Sequence, residues 1–373
     1  MAILVTGGAG FIGKKLVSQL SPHEKVFVLD NLNQQVHGPT LPEYNPFGGN
    51  PNVAFHRGDI RDSELVSKLL GLVDTVVHLA AETGTGQSMY NIAHYCDVNQ
   101  QATAGIFDLI AKDHRHIRKV ILASSRAVYG EGAYLRNGKV VNPDVRKRND
   151  LEAGNFELTD EVGAKLQYVA TPEKLELRPA SIYAATKFNN ELVGQIFSKA
   201  FGISVTSLRF QNVYGPGQSI KNPYTGLISI FSNQMRTHSD VNIFEDGKAI
   251  RDFVHVDDVA LGIVLALSSI ESGYSFYNIG SGEASTIFDV AEVLKENLDS
   301  KSQLIISGDF RLGDIRNNVA DLHKVKSELG FQPSVKLVDG LKSFTDWVIS
   351  VPVEDDHSNK AMQELNEFGL TNG

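Results

Sequence analysis

Short apolar runs recur along this chain at 2–5, 26–29, 53–55, 75–79, 119–123 and 204–209, with amphipathic stretches in the intervals. Strand-like runs alternating with helix-like stretches predict an α/β fold, a doubly wound parallel sheet covered by helices on both faces. Residues 34–52 are rich in Pro, Gly and Asn and predict a surface loop. The long polar interruption at 131–180 predicts an insertion with some structure of its own, because a bare loop of that length is unusual. From Gly215-Pro216-Gly217 onward the pattern becomes loop-rich, so the chain divides into a first domain over 1–215 and a smaller lobe over 216–350. Residues 252–270 are expected to return to the first domain, and the polar, acidic 351–373 to be a frayed helix or a disordered tail.

The first run, Ala2-Ile3-Leu4-Val5, leads directly into Thr6-Gly7-Gly8-Ala9-Gly10-Phe11-Ile12-Gly13, and a helical pattern starts at Lys14. Glycines at 7, 10 and 13 let the backbone turn tightly, approach a pyrophosphate and pack a helix close to its strand. Free amides at the helix start then meet the phosphate charge. A glycine string alone carries little weight; the strand before it, the helix after it and Asp30 at the end of Val26-Phe27-Val28-Leu29 supply the context. A carboxylate there accepts both ribose hydroxyls of an adenosine and repels a 2′-phosphate, which points to a Rossmann-type domain that binds NAD rather than NADP.

Composition changes this picture only by exclusion. A net charge of −9 argues against a nucleic-acid or membrane-surface partner, so an anionic substrate would need local arginines. The single cysteine, Cys96, cannot form an intramolecular disulfide and fits a reducing compartment. The first strand begins at residue 2, and no apolar run reaches 18 residues. These features lead us to expect a cytoplasmic protein.

A second constellation is Tyr183-Ala-Ala-Thr-Lys187. On a helix the phenol and the ammonium share one face, and a nearby ammonium favours phenolate, a usable general base for a sugar hydroxyl. Ser124-Ser125 closes the run 119–123, at the carboxyl end of a strand where open α/β sheets bind ligands.

Together with His78-Leu79-Ala80-Ala81 and Ser124-Ser125-Arg126-Ala127-Val128-Tyr129-Gly130, these motifs resemble an extended short-chain dehydrogenase/reductase. Within that superfamily the chain is similar to the nucleotide-sugar epimerase/dehydratase group, over about residues 1 to 350. The resemblance implies that Gly7, Gly10, Phe11, Ile12 and Gly13 hold the NAD pyrophosphate, with Asp30 and Asn31 at the adenosine ribose. It places Asp59 and Ile60 at the adenine, Leu79, Ala80 and Ala81 beneath the cofactor, and Asn99 on the following helix. It makes Ser125, Tyr183 and Lys187 the catalytic set, Lys187 also reaching the nicotinamide ribose. It assigns a nucleotide-diphosphate sugar to Thr83, Ser88, Ser125, Asn212, Arg251, Arg311 and Arg316. Guanidinium forks suit a diphosphate, which they bind bidentately. A homodimer packed through helices near 99–113 and 183–200 is also implied.

Two departures refine this. Dehydratases of the group carry an acid pair directly after the catalytic Ser or Thr; this chain has Arg126-Ala127, and neither serves as that acid. The insertion contains no cysteine and suggests no zinc site. The resemblance implies an NAD-dependent 4-epimerase, and longer strings such as Arg209 to Ser219 are similar to those of family members acting on dTDP-L-rhamnose and dTDP-6-deoxy-L-talose. Other nucleotide sugars (UDP-hexose, UDP-uronate, CDP-sugar) and a 4-keto-sugar reductase are the alternatives. His78 and His255 are expected to be structural.

Overall fold

The computed structural model describes residues 1–372 except 40–42, 223, 225, 271 and 355–357. Each of the six apolar runs forms a strand: β1 (Ala2–Thr6), β2 (Lys25–Asp30), β3 (Val53–Arg57), β4 (Thr75–His78), β5 (Lys119–Ser125) and β6 (Ser204–Phe210). A seventh, β7 (Tyr274–Ile279), completes one sheet in the order β3-β2-β1-β4-β5-β6-β7. All neighbours are parallel. β7 escaped the hydrophobic pattern because it is an edge strand with Ser275 and Asn278 among its aromatics.

Burial on both faces explains why the strands read as continuous apolar runs. Ile3 and Val5 pack into a core with Leu16, Val28 and Ile263, while Leu4 between them points into a second core with Leu29, Val76 and Ile110. The helix Phe11–Leu20 buries Gly13, Leu16, Val17 and Leu20, the spacing of a single helical face. Strand order reverses between β1 and β4, whose ends meet at the register pair Thr6–His78. A crevice opens at that switch point, outside the carboxyl ends.

The 20-residue helix Ile182–Phe201 runs beside this crevice. Ser181 caps its start by accepting from the Ala184 amide at 3.2 Å, and Gly202 ends it in a left-handed conformation with φ of +69°. Its roll is fixed by a buried ion pair from Glu191 to Arg209 of β6, 2.6 Å long. Tyr183 and Lys187 lie two and one turns before Glu191 on the same face, so the pair that orients the helix also aims them at the crevice.

The 131–180 segment contains a small antiparallel sheet (Tyr134–Arg136, Lys139–Val141 and Gln167–Tyr168) and the short helix Arg148–Glu152. A third core, with Tyr214, Phe231, Val241, Phe253, Val290 and Phe344, lies beyond the sheet's carboxyl edge. Of the two alternatives for the polar C-terminal stretch, the structure shows the helix. This is Ser358–Glu367, whose Ala361 and Leu365 are buried, because its few apolar residues fall on one face and find a partner surface. No helix among the described residues is long and apolar enough to cross a membrane.

Candidate active site

The turn after β1 is built from glycine geometry. Gly7 has φ of +68°, and a Cβ there would lie 2.7 Å from the Ala80 nitrogen. A Cβ on Gly13 would lie 2.5 Å from the Gly7 carbonyl oxygen. No side chain caps the following helix and no acid lies in its first turn, leaving its amides to an anion. Both Asp30 carboxylate oxygens accept backbone amides, from Ala9 at 3.0 Å and Leu32 at 2.9 Å. Asp30 therefore ties the glycine turn to the end of β2 and retains lone pairs for ribose hydroxyls.

A cavity of about 280 Å³ follows this turn across the switch point. Its walls include Gly7, Gly10, Phe11, Ile12, Gly13, Asp30, Asn31, Asp59, Ile60, Leu79, Ala80, Ala81, Thr83, Tyr183 and Lys187. The crevice thus brings together the residues expected at the dinucleotide, with one exception. Asn99 is buried on a π-helical turn, where it accepts from the Glu82 amide at 2.8 Å and donates to the Glu82 carbonyl and to Thr186. It latches the loop after β4 to the Tyr183 helix, behind the cavity wall formed by Ala81, Glu82 and Thr83. Asp59 is gripped by both Arg61 and Asn31, and the Arg61 hydrogen bonds hold its carboxyl far below the usual range.

Tyr183 is enclosed beside Ser125 and Arg126. Burial raises its phenol, and the Ser125 hydrogen bond and the Arg126 charge oppose that rise. Burial pushes the Lys187 ammonium down to about 8; it donates to the Ala123 carbonyl at 2.9 Å. His78 is held between Thr6 and Thr103, at 2.7 and 2.9 Å, and desolvation pushes it down to about 3, so it stays neutral. That is a structural histidine.

The residues expected at the sugar nucleotide separate into two groups. Ser88 is fully buried: it donates to the Thr85 carbonyl and accepts from the Tyr183 amide at 3.1 Å, so it seats the Tyr183 helix rather than facing the cavity. Arg316 is 1% exposed and spends its guanidinium on Glu157, Glu245 and Asp246 at 2.7–3.0 Å. It welds the insertion to the 245–246 turn, with both terminal nitrogens engaged and only a buried Nε without a partner among the described residues. By contrast, no ion pair engages Arg126, Arg251 or Arg311 among the described residues. Arg126 donates to the Asn212 side chain at 3.0 Å, and Arg251 donates to the carbonyls of Ile250, Ile315 and Arg316.

Sequence reasoning missed Glu82, Gln218 and Asn222 in the cavity wall. Each lies in a loop without periodicity, and only adjacency to Ala81 could have flagged Glu82.

A glycine turn at a switch point, an acid closing the second strand and a Ser–Tyr–Lys set define a short-chain dehydrogenase/reductase with an extended second lobe. The match to a family model narrows that class. Residues 3–151 and 156–280 match the NAD dependent epimerase/dehydratase family, and the chain belongs to it. It is similar to a dTDP-L-rhamnose 4-epimerase of Burkholderia thailandensis, with 36% identity over 350 residues, 93% of this chain and 94% of that protein. Among solved structures it resembles the UDP-glucose 4-epimerase of Thermotoga maritima with UDP-glucose, at a TM-score of 0.75 and 29% identity, covering 94% and 99% of the two chains. The UDP-glucuronic acid 4-epimerase of Bacillus cereus, in complex with UDP-glucuronic acid and NAD, gives 0.75 and 27% over the same shares. NAD is accordingly the cofactor, and the glycine cradle, free helix amides and Asp30 fit it.

Proposed function

We propose that this enzyme is a nucleotide-sugar 4-epimerase whose substrates are dTDP-L-rhamnose and dTDP-6-deoxy-L-talose. The observation that carries the reaction type is the Ser125–Tyr183–Lys187 set followed by Arg126-Ala127, which offers a base for one hydroxyl and no acid pair for dehydration. The substrate pair is supported by the similarity to the rhamnose 4-epimerase.

NAD, held by the glycine turn and Asp30, would supply a reversible hydride acceptor for C4 of the sugar. Tyr183, as phenolate, accepts the proton of the 4-hydroxyl and gives it back to the oxygen after the sugar has turned over. Ser125 shares that proton and orients the oxygen, and Lys187 keeps the phenolate form accessible. Arg251 and Arg311, with Thr83 and Asn212, hold the diphosphate and sugar while the ring presents its opposite face. The reaction is redox-neutral overall, so NAD would be regenerated in each cycle rather than consumed.

On the outer side of the Tyr183 helix, Leu192 and Ile196 are 42% and 68% exposed. That apolar pair supports a homodimer through this helix, testable by light scattering with Ile196→Glu. A cytoplasmic location is consistent with the lone free Cys96.

The test of substrate is incubation of the enzyme with dTDP-, UDP- and CDP-sugars, followed by NMR of the C4 stereochemistry. Inversion of dTDP-L-rhamnose is expected; exclusive turnover of a UDP-hexose or UDP-uronate would replace the substrate and leave the reaction type.

A further inference from the structure

The C-terminal residues 360–372 lie outside the segments that match the family model, yet they are fastened to three parts of the molecule. One oxygen of Glu364 accepts hydrogen bonds from both Tyr90 and Tyr224, each 2.6 Å long. These two bonds hold the Glu364 carboxyl below its usual range, while burial raises both phenols, so the clasp is intact across the neutral range. Phe368 stacks on Tyr90, with ring centroids 4.8 Å apart and planes at 5°. Leu365 packs on Gly86, where a Cβ would come within 3.1 Å of it.

Past the helix, the chain adds an antiparallel edge to residues 310–312. The Leu312 amide donates to the Leu370 carbonyl at 2.9 Å, Arg311 bridges Thr371, and the Phe310 amide donates to the Asn372 side chain at 2.7 Å. The Arg148 guanidinium donates to the Gly369 carbonyl.

Beneath this strap is a cavity of about 130 Å³, walled by Thr85, Tyr224, Arg311 and Asp314 and closed by Leu365 and Leu370. Arg311 is the cation of that cavity. Its guanidinium lies over the Phe244 ring at 4.6 Å and against the Met362 sulfur at 3.3 Å, and its buried Nε has no hydrogen-bond partner.

The strap also reaches the catalytic end. It rests on the Thr85–Ser88 turn, and Ser88 accepts the Tyr183 amide that starts the catalytic helix.

We infer that residues 360–372 are a wall of the nucleotide-sugar site that lies over the nucleoside-diphosphate end above Arg311, with Glu364 as the positioning residue that clasps it through Tyr90 and Tyr224. This rests on the nucleotide-sugar reading above. The wall shapes the site from a segment whose sequence is polar and carries no motif.

The experiment uses the full chain with NAD bound. Titration calorimetry with dTDP and with UDP, which bind without reacting, compares wild type with Glu364→Ala; Michaelis constants are measured in parallel, and circular dichroism with NAD content reports folding. Loss of two charge-assisted hydrogen bonds should weaken dTDP binding by roughly 10-fold or more, with most of the kinetic change in KM and an intermediate effect for Glu364→Gln. Tyr90→Phe/Tyr224→Phe deletes the same bonds from the other side and gives the same readout if the first variant does not fold. Equal affinity in variant and wild type overturns the wall, and tighter binding overturns it too, since the strap would then be a competing cover. Failure of the wild-type chain to bind any nucleoside diphosphate would instead overturn the nucleotide-sugar reading.

Discussion

Lys187 follows Tyr183 by one helical turn and holds its ammonium 5.9 Å from the centre of the phenol ring, while donating to the Ala123 carbonyl of β5 at 2.9 Å. The hydrogen bond ties the Tyr183 helix to the strand that ends in Ser125, so phenol, ammonium and serine are set by two rigid elements. Such a support keeps catalytic groups within the tight tolerance that proton transfer requires. It also leaves the Lys187 charge without a carboxylate partner among the described residues, available to the phenolate and the cofactor.

Replacing Tyr183 by Phe removes the proton acceptor and leaves the packing of the ring. The variant should fold and retain NAD, while kcat falls by about 10²–10⁴-fold, the usual contribution of a general base. Single-turnover kinetics, with NAD quantified after denaturation, checks both halves. Wild-type turnover would show that another group takes the proton.

Arg126 should matter through charge. Burial raises the Tyr183 phenol, and the positive charge of Arg126 is one of the two influences that bring it back down. Arg126→Gln removes that charge, so the phenolate forms at higher pH and the rising limb of kcat/KM against pH moves upward. Arg126→Lys should keep the limb near its original position. A limb that stays in place in Arg126→Gln would mean that the guanidinium does not act on the base.

Arg316 and Arg251 look alike in the sequence and should behave differently. Arg316→Ala takes away the ion pair of Asp246 and one of two cationic partners from Glu157 and Glu245, which keep Lys165 and Arg146. Removing one member of a buried charge network costs about 3–5 kcal/mol, seen as a lower denaturant midpoint, with KM of the folded enzyme little changed. Arg251→Ala should act on KM, by roughly 10- to 100-fold for a lost hydrogen bond to a charged group. If the two phenotypes were exchanged, the assignment of both arginines would be reversed.

The parts of this site that were legible in the sequence are those written in local spacing. Gly7 to Gly13, Asp30 and the Tyr183–Lys187 pair each lie within one strand, turn or helix, so periodicity alone orders them. Asn99 and Ser88 sit in the right neighbourhood, but only tertiary packing shows that they support Glu82 and Tyr183 instead of facing the crevice. The fate of Arg316 depended on Glu157 and Glu245, 159 and 71 residues away. β7 and the strap were hidden for a related reason: their polar residues are satisfied by distant partners, as Asn278 is by Tyr129 and Glu364 by Tyr90.

The destination of hydrogen separates epimerase from dehydratase most sharply. A 4-epimerase removes hydride from C4 and returns the same hydride to C4, so no other carbon exchanges. A 4,6-dehydratase must also take the C5 proton while water leaves from C6, and that needs an acid and a base beside the sugar's outer carbons. After Ser125 this chain places Arg126, whose Nε is bonded to Asn212, and then Ala127, so those two positions supply no proton for a departing hydroxyl. In heavy water, dTDP-L-rhamnose and dTDP-6-deoxy-L-talose should therefore interconvert with inversion at C4 and no deuterium at C5, read by proton NMR of the equilibrated mixture. Deuterium appearing at C5, or a 4-keto-6-deoxy product accumulating from a nucleotide hexose, would show that another group fills the role of the missing acids.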